Sequence, residues 1–312
     1  MRQYRGLLGP GVIVLLVVAA MLWSPFEPHG PPVGVAEPFA PEPTWTDEDW
    51  DVFSSKVQWA GRERLDTLSL GNAMAKLGRT FVGTAYVPGT LEVEGPERLV
   101  INFRGLDCVT FVETVFAMTR FVRGGGVGRL SDRGRAEVAY ETLLREIRYR
   151  DARIAGYPSR LHYFVDWIWD NDRRGLVVDL GERLGGIRDA EPIDFMTTHA
   201  EAYRQLADPI NVAAVRSIEE RLSARGRRYV PAASIAAVAS RIQDGDIIAA
   251  TSTVEGLDVA HTGLALWVDG TLRLLHAPLV GAAVRISDVS LAERIGRIEG
   301  QDGILVARPL ER

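Results

Sequence analysis

The first long apolar run of the chain lies at its N-terminus. Arg2 and Arg5 precede seventeen uncharged, mainly apolar residues at 7–23. This pattern predicts a signal peptide or membrane anchor at residues 1–24, and because basic flanks stay cytoplasmic, the following chain is predicted to be exported. The small-residue site at 18–20 is weak and the run nearly spans a bilayer, so we favour an uncleaved inner-membrane anchor and leave cleavage open. The predicted location is the periplasm or cell envelope.

A proline-rich stretch follows this run. Residues 25–43 contain seven of the sixteen prolines of the chain. Such a composition favours extended conformations over a packed core and predicts a semi-rigid spacer. We therefore expect the folded domain to occupy residues 44–312.

Helical patterns dominate the first part of this domain. Thr46, followed by three acidic residues, predicts the start of one helix, and residues 69–81 predict a second. The apolar centre of residues 98–103 predicts a short strand. Residues 108–122 are apolar on almost every face, which indicates a buried central helix that ends at the glycine-rich run 123–128.

The pattern changes towards the C-terminus. Residues from about 133 to 225 predict helices and loops, which we interpret as an insertion in the core fold. Short β-type runs follow at 247–252, 261–268, 272–277 and 303–308. Helices first and strands last predict an α+β fold with the sheet built from the C-terminal part.

Charge and cysteine content narrow the function. The formal net charge of -5 and the pI near 5.7 argue against a nucleic-acid partner, since such proteins concentrate basic surface. The chain has one cysteine and cannot form an internal disulfide, although it is predicted to be exported. Cys108 is therefore either a small buried hydrophobic residue or a reactive group.

The position of Cys108 favours reactivity. Asp107 is a good N-cap residue, so Cys108 is predicted to open the central helix at the positive end of its dipole. This position favours the thiolate, which is the species that attacks a carbonyl. We expect a lowered pKa for this thiol.

Two histidines can serve this cysteine. A two-residue turn at 269–270 predicts a hairpin whose register places Gly263 opposite His276 and makes His261 its diagonal neighbour. One ring can then accept the thiol proton while the other orients it, and Gly263 leaves room between them. The alternative is that His261 and His276 are incidental strand residues satisfied by backbone groups.

No metal or cofactor is expected. The sequence has no H-E-x-x-H run, no C-x-x-C pair and no histidines at helical i, i+4 spacing, which argues against a zinc amidase. Asp244 and Asp246 flank a glycine but lack the other ligands of a calcium loop. We predict a turn there.

Several segments together resemble one known family. They are, in chain order, GTAYVPGTLE (83–92), LDCVTFVE (106–113), SRLHYFVDW (159–167), DGDIIA (244–249), LDVAHTGLAL (257–266) and LLHAP (274–278). These motifs resemble the N-acetylmuramoyl-L-alanine amidase-like family, a branch of the NlpC-type papain-like cysteine peptidase superfamily. The resemblance covers residues from about 44 to the C-terminus.

The resemblance implies a fold and a set of site residues. The implied fold is papain-like, with the nucleophile helix packed on a small antiparallel sheet. By motif, Cys108 matches the nucleophile, His261 the base and His276 the third, polar member of the triad. Tyr86 would line the oxyanion side of the site, although Ala85 stands where proline is usual.

The remaining predicted contacts are to substrate. His162 and Tyr163 match the H-Y segment of the family and would grip the sugar or stem peptide, with an aromatic core as the alternative. Asp107, beside the nucleophile, and Gly263, between the imidazoles, complete the predicted substrate-contacting set.

The predicted function is hydrolysis of peptidoglycan or muropeptides at the N-acetylmuramoyl-L-alanine amide bond by a Cys-His-His triad. A stem-peptide cysteine endopeptidase is an alternative, because it would use the same triad. An inert, membrane-tethered peptidoglycan-binding protein is another, and acyl transfer starts from the same thioester.

Overall fold

The computed structural model of the protein describes residues 43–280 and 282–311. The predicted leader or anchor at 1–24, and the spacer apart from Pro43, lie outside the described residues, so both stay predictions. Among the helices described, none is long and apolar enough to cross a bilayer.

Ten helices of four residues or more are described, and most of them precede the main strands. They are α1 (Asp47–Arg62), α2 (Leu70–Arg79), α3 (Cys108–Arg123), α4 (Gly126–Arg129), α5 (Arg133–Arg148), α6 (Phe164–Arg173), α7 (Phe195–Thr198), α8 (Pro209–Arg225), α9 (Ile235–Val238) and α10 (Leu291–Arg297).

The described strands also number ten. They are β1 (Ala85–Tyr86), β2 (Gly105–Leu106), β3 (Val177–Asp179), β4 (Ile187–Asp189), β5 (Arg227–Pro231), β6 (Ile247–Ser252), β7 (Val259–Val268), β8 (Thr271–His276), β9 (Arg285–Ile286) and β10 (Gln301–Pro309). Strands β1 and β2 form a small parallel pair. The other eight form one antiparallel sheet in the order β4-β5-β10-β6-β7-β8-β9, with β3 also paired to β10. The predicted α+β class is confirmed.

Side-chain caps set the first residues of α1 and α3 at the positions that the sequence predicts. The Thr46 hydroxyl accepts the N–H of Asp49 at 3.1 Å and begins α1. The Asp107 carboxylate accepts the N–H of Thr110 at 2.8 Å, while the Thr110 hydroxyl accepts the N–H of Asp107 at 2.9 Å. This reciprocal capping box makes Cys108 the first residue of α3.

The predicted strand at 98–103 is wrong. Instead of joining a sheet, this segment hydrogen-bonds to Thr44, whose N–H donates to Leu99 O and whose hydroxyl accepts the N–H of Ile101. The carboxylate of Asp49 then accepts the N–H of Phe103 at 2.9 Å. Contacts with the start of the domain thus replace strand pairing.

The segment 133–225 is mostly helical, as predicted, but it also supplies β3 and β4 to the main sheet. These strands have three residues each and no clear alternation, so their sequence gave no strand signal. The boundaries of the insertion stay a prediction.

Two apolar cores lie on opposite faces of the sheet. One contains most of α3, with Leu264, Leu266 and Leu275 from the hairpin. The other contains Leu274, packed with the apolar residues of α10. The hairpin that carries both histidines is therefore held on both faces.

A buried ion pair ties α3 to the rest of the domain. The Arg148 guanidinium donates to Glu113 at 2.7 Å and to the carbonyl of Val100 at 2.7 Å. The indole of Trp167 donates to the same carboxylate at 3.2 Å. Every polar group of this cluster has a partner, which is the condition under which buried charges are tolerated.

Candidate active site

Cys108 lies at the N-terminus of α3, with part of its surface exposed. Three groups lie near its sulfur and favour the thiolate: the backbone N–H of Val109, and the backbone N–H and hydroxyl of Thr262. The Thr262 hydroxyl oxygen is buried and has no conventional hydrogen-bond partner among the described residues. Because Thr262 follows His261 directly, the sulfur lies beside the strand that carries the predicted base.

The protonation of Cys108 differs from the sequence-based expectation. The pKa of the thiol is raised to about 11, mainly by burial and in addition by the neighbouring Asp107 carboxylate. The contacts from Thr262 and Val109 act in the opposite direction but are weaker. The expected lowering of the thiol pKa is therefore wrong in the free protein, because burial outweighs the helix N-terminus. The resting group is a thiol.

The two predicted histidines meet as the register requires. Val268 pairs with Thr271 and Leu264 with Leu275, which is the register expected from the two-residue turn. Positive φ at both turn residues, 48° and 74°, fits a type I′ hairpin. The Nε2 atom of His261 lies 2.7 Å from Nδ1 of His276. The predicted histidine pair is confirmed as a contact.

Gly263 leaves room for this pair. A Cβ atom at this position would lie 2.7 Å from the carbonyl oxygen of Leu275 and 2.9 Å from Cβ of His276. Both separations are shorter than ordinary van der Waals contact. Glycine is therefore needed here for close packing of the two strands, and Gly263 acts on the site through His276.

Both imidazoles are neutral near pH 7. Burial lowers the pKa of His261 well below its ordinary value, and the charges of His276 and Arg294 lower it further. The pKa of His276 falls to about 3, first from burial and then from Arg294 and Arg285. If His261 donates from Nε2 to His276, its Nδ1 is unprotonated and can accept a proton.

Sequence reasoning missed Arg294. This α10 residue is partly buried, and its charge acts on His261 and His276, while its own pKa responds to Cys108. It follows His276 by eighteen positions and belongs to none of the recognised motifs. Only the packing of α10 against the sheet brings it to the site.

Tyr86 lies near Cys108, and its place on the oxyanion side of the site stays a prediction. It pairs with Leu106, two residues before Cys108, and its N–H donates to the carbonyl of Ala282. Burial raises the pKa of its hydroxyl, and the neighbouring Cys108 and Asp107 raise it further. The phenol is therefore a neutral hydrogen-bond donor near the sulfur.

The other predicted substrate contacts have partners within the protein. The Asp107 carboxylate is used in the helix cap. His162 contacts the carbonyl of Tyr157 through Nε2 at 2.9 Å and packs on the Tyr157 ring. Tyr163 is 3% exposed and donates its hydroxyl to Glu219 at 2.6 Å. These contacts favour the core interpretation of Tyr163 over substrate binding.

The described part of the chain has no cluster of metal ligands beside the thiol and the imidazoles. Within residues 43–280 and 282–311, no three histidine, cysteine or acidic side chains cluster as metal ligands would. Asp244 and Asp246 form the predicted turn, where Asp244 accepts the N–H of Trp267 and Asp246 pairs with Arg308. A groove of about 660 Å³ lies beside this turn, at the opposite end of β7 from His261.

Solved structures resemble most of the described domain. An N-acetylmuramoyl-L-alanine amidase of Bacteroides uniformis ATCC 8492 is 38% identical, with a TM-score of 0.72, over 78% of this chain and 100% of that one. A Bacteroides fragilis protein named as a candidate xylanase is 36% identical, with a TM-score of 0.66, over 74% and 98%. A Legionella pneumophila protein at 19% identity and a TM-score of 0.63 covers 84% and 96%, and supports the fold alone.

The sequence itself matches a family model. Residues 76–302 match the model described as N-acetylmuramoyl-L-alanine amidase-like, a range that includes Tyr86, Cys108, the histidine pair and Arg294. No curated protein matches the chain. Since the match spans well over half of the sequence, the chain belongs to the N-acetylmuramoyl-L-alanine amidase-like family.

Proposed function

We propose that this protein hydrolyses the amide between N-acetylmuramic acid and L-alanine in peptidoglycan or muropeptides, through a Cys108-His261-His276 triad. The observation that carries the proposal is the 2.7 Å contact between His261 and His276, on a hairpin whose residue after His261, Thr262, lies near the Cys108 sulfur. A nucleophile, a base and a group that orients the base are the elements of covalent acyl-transfer catalysis.

The first step moves a proton and forms a bond. The Cys108 thiol gives its proton to Nδ1 of His261 as the sulfur attacks the lactyl carbonyl of the muramoyl group. His261 then protonates the leaving amine of L-alanine, the C–N bond breaks, and a thioester remains. Water attacks this thioester with His261 as base, which releases the muramoyl carboxylic acid and regenerates the thiol.

The neutral resting state fits this sequence of steps. A thiol whose pKa is raised by burial keeps its proton until the carbonyl is in place, so proton transfer and attack are coupled. His276 stabilises the imidazolium that forms at His261, because it accepts the N–H at Nε2. A neutral imidazole does this less strongly than a carboxylate would.

The oxyanion is proposed to form between two donors. The first-turn N–H groups of α3 carry partial positive charge, and the Cys108 N–H is the closest of them to the reacting carbon. Tyr86, whose neutral hydroxyl lies near the sulfur, is the second donor. The arrangement of α3 on an antiparallel sheet supports a papain-like, NlpC-type fold.

A glycosidase does not explain the site as well. Glycoside hydrolysis requires two carboxylates flanking the bond. The carboxylate next to Cys108 is that of Asp107, which caps α3 through Thr110. We therefore do not extend the name of the Bacteroides fragilis protein to this chain.

The location of the substrate supports export. Peptidoglycan lies outside the cytoplasmic membrane, so an enzyme acting on it would be periplasmic or attached to the envelope. The N-terminal run at 7–23 would provide export or an inner-membrane anchor.

The test is a digest of defined muropeptides analysed by mass spectrometry. We expect release of an intact peptide that begins with L-alanine, and no release by Cys108→Ala. A fragment cut within the stem peptide would support an endopeptidase instead. Unchanged substrate, or equal turnover by Cys108→Ala, would contradict the proposal.

A further inference from the structure

The groove of about 660 Å³ beside the Asp244 turn is separate from the proposed triad. Its walls are residues 69–72 at the start of α2, the turn at Asp244, Trp267 near the end of β7, and residues 308–311. We call it the turn groove. Trp267 lies six residues after His261 on β7, so about 20 Å of strand separates them at roughly 3.3 Å per residue. The volume of the groove lies within the range of about 300–1,000 Å³ that is usual for small-molecule sites.

Two glycines bring the walls of the turn groove together. A Cβ atom at Gly71 would lie 2.5 Å from the carbonyl oxygen of Asp244, and a Cβ atom at Gly245 would overlap the carbonyl oxygen of Gly71. Gly245 also has a φ of 79°, in the left-handed region that favours glycine. The start of α2 and the first residues of the DGDIIA motif (244–249) therefore meet backbone to backbone, which fixes the two walls relative to each other.

Three of the four charged side chains that line the turn groove are paired within the protein. The Arg308 guanidinium donates to both carboxylate oxygens of Asp246, at 2.8 and 2.7 Å. The Glu311 carboxylate pairs with Arg123 at 2.8 Å and accepts the N–H of Leu70 at 3.0 Å. These contacts leave little free charge for an ionic ligand.

The fourth charged group holds an aromatic side chain in place. The Asp244 carboxylate accepts the backbone N–H of Trp267 at 2.6 Å, and the indole N–H of Trp267 donates to the carbonyl of Ile242 at 2.9 Å. The indole is half-buried, so it presents apolar surface to the groove. Because the ring is already held by hydrogen bonds, a ligand that packs on it loses little affinity to side-chain ordering.

Uncharged polar side chains complete the lining of the turn groove. Ser69, Asn72, Ser240 and Gln243 line it and are exposed. None of these four side chains forms a hydrogen bond with another residue in the part of the chain that the structure describes. Hydroxyls and amides both donate and accept hydrogen bonds, and an indole packs on the apolar face of a sugar ring. The lining therefore suits a neutral carbohydrate better than an ion or an apolar molecule.

We propose that the turn groove binds N-acetylglucosamine units of a glycan strand, and that the protein therefore prefers polymeric peptidoglycan to released muropeptides. The inference rests on the proposed function, because the same polymer carries the scissile amide. N-acetylglucosamine is the uncharged sugar of that polymer, whereas its stem peptides carry carboxylates. Two separate sites that hold one strand raise the effective concentration of the scissile amide at Cys108.

The first test measures binding without cleavage. Cys108→Ala protein is titrated by calorimetry with the N-acetylglucosamine tetramer of chitin, a neutral glycan without peptide. Adding Gln243→Ala should weaken binding by about 3- to 10-fold through the loss of one hydrogen bond. Adding Ser240→Trp should weaken it by about tenfold or more, because the new indole fills the groove. The glucose tetramer of cellulose, which lacks acetamido groups, should bind more weakly than the chitin tetramer.

Two matched controls lie on α1, outside the turn groove. Gln58 and Ser55 are exposed there, so Gln58→Ala and Ser55→Trp should leave the affinity for the chitin tetramer unchanged. No measurable binding by Cys108→Ala protein, or an equal loss in the groove variants and the controls, would overturn the inference. Equal affinity for the two tetramers would overturn the assignment to N-acetylglucosamine.

Activity tests the preference for polymer. With Cys108 intact, Ser240→Trp should lower the ratio of kcat/KM on polymeric strands to kcat/KM on a muropeptide by about tenfold or more, whereas Ser55→Trp should keep the wild-type ratio. An unchanged ratio in Ser240→Trp would overturn the role of the turn groove in substrate choice. Cleavage of muropeptides without binding of the chitin tetramer would refute this inference alone, and binding without any cleavage would refute the proposed function alone.

Discussion

Replacement of Gly263 by alanine should damage the site through His276 and leave the rest of the fold in place. The new Cβ would lie 2.9 Å from Cβ of His276 and 2.7 Å from the carbonyl oxygen of Leu275, where ordinary contacts begin near 3.4 Å. The strands must separate by about 0.5 Å or more to relieve this overlap. The 2.7 Å contact between His261 and His276 would then lengthen or lose its alignment.

The expected effects on stability and activity can be stated separately. Overpacking of this kind costs about 1–3 kcal/mol, which corresponds to a fall of roughly 2–10 °C in Tm for a domain of this size. A base displaced by a fraction of an ångström to 1 Å loses on the order of 10²-fold in rate. We expect kcat/KM for muropeptide hydrolysis to fall by about that factor while the far-ultraviolet circular dichroism is unchanged.

Gly296→Ala provides the control. Gly296 lies on α10, where an added Cβ would meet no atom within 4 Å. Alanine should be neutral or stabilising there by up to about 1 kcal/mol, because glycine is unfavourable within a helix. In a His276→Ala background, Gly263→Ala should add little further loss of activity. Wild-type kcat/KM in Gly263→Ala, or a full additive loss in the double variant, would refute this reasoning.

Two further predictions concern the buried charges. Arg148→Met should lower the free energy of unfolding by about 3–5 kcal/mol, since it leaves Glu113 buried without its cation. In the same denaturant titration, Arg135→Met should cost less than about 1 kcal/mol, because its ion pair is exposed. Because the pKa of His261 lies well below its ordinary value, its neutral form persists as the pH falls, so kcat/KM should stay nearly constant from pH 7 to 5. A base of ordinary pKa near 6.5 would lose about 25-fold over this range, and such a loss would contradict the neutral pair.

Local signals in the sequence were enough to predict the histidine hairpin and the start of α3. A two-residue turn leaves one register for the strands, so the approach of His261 to His276 followed from counting positions. The Asp107 cap likewise fixed Cys108 as the first residue of α3. Both features depend on residues close together in the chain.

Properties that depend on the assembled domain were not predictable in this way. The direction of the Cys108 pKa shift comes from burial, which no neighbouring residue in the sequence reveals. Arg294 reaches the site because α10 packs on the sheet. The segment 98–103 does not form the expected strand, because Thr44 supplies its hydrogen bonds. Tyr163 was open between substrate contact and core, and only its distant partner Glu219 favours the core.

The placement of β10 has a consequence for how the protein assembles. Strand β10 pairs with β3, β5 and β6, so it joins two halves of the sheet that share no other ladder among the described strands. The sheet cannot close until residues 301–309 are in place, so a folding intermediate that lacks β10 holds two separate groups of strands.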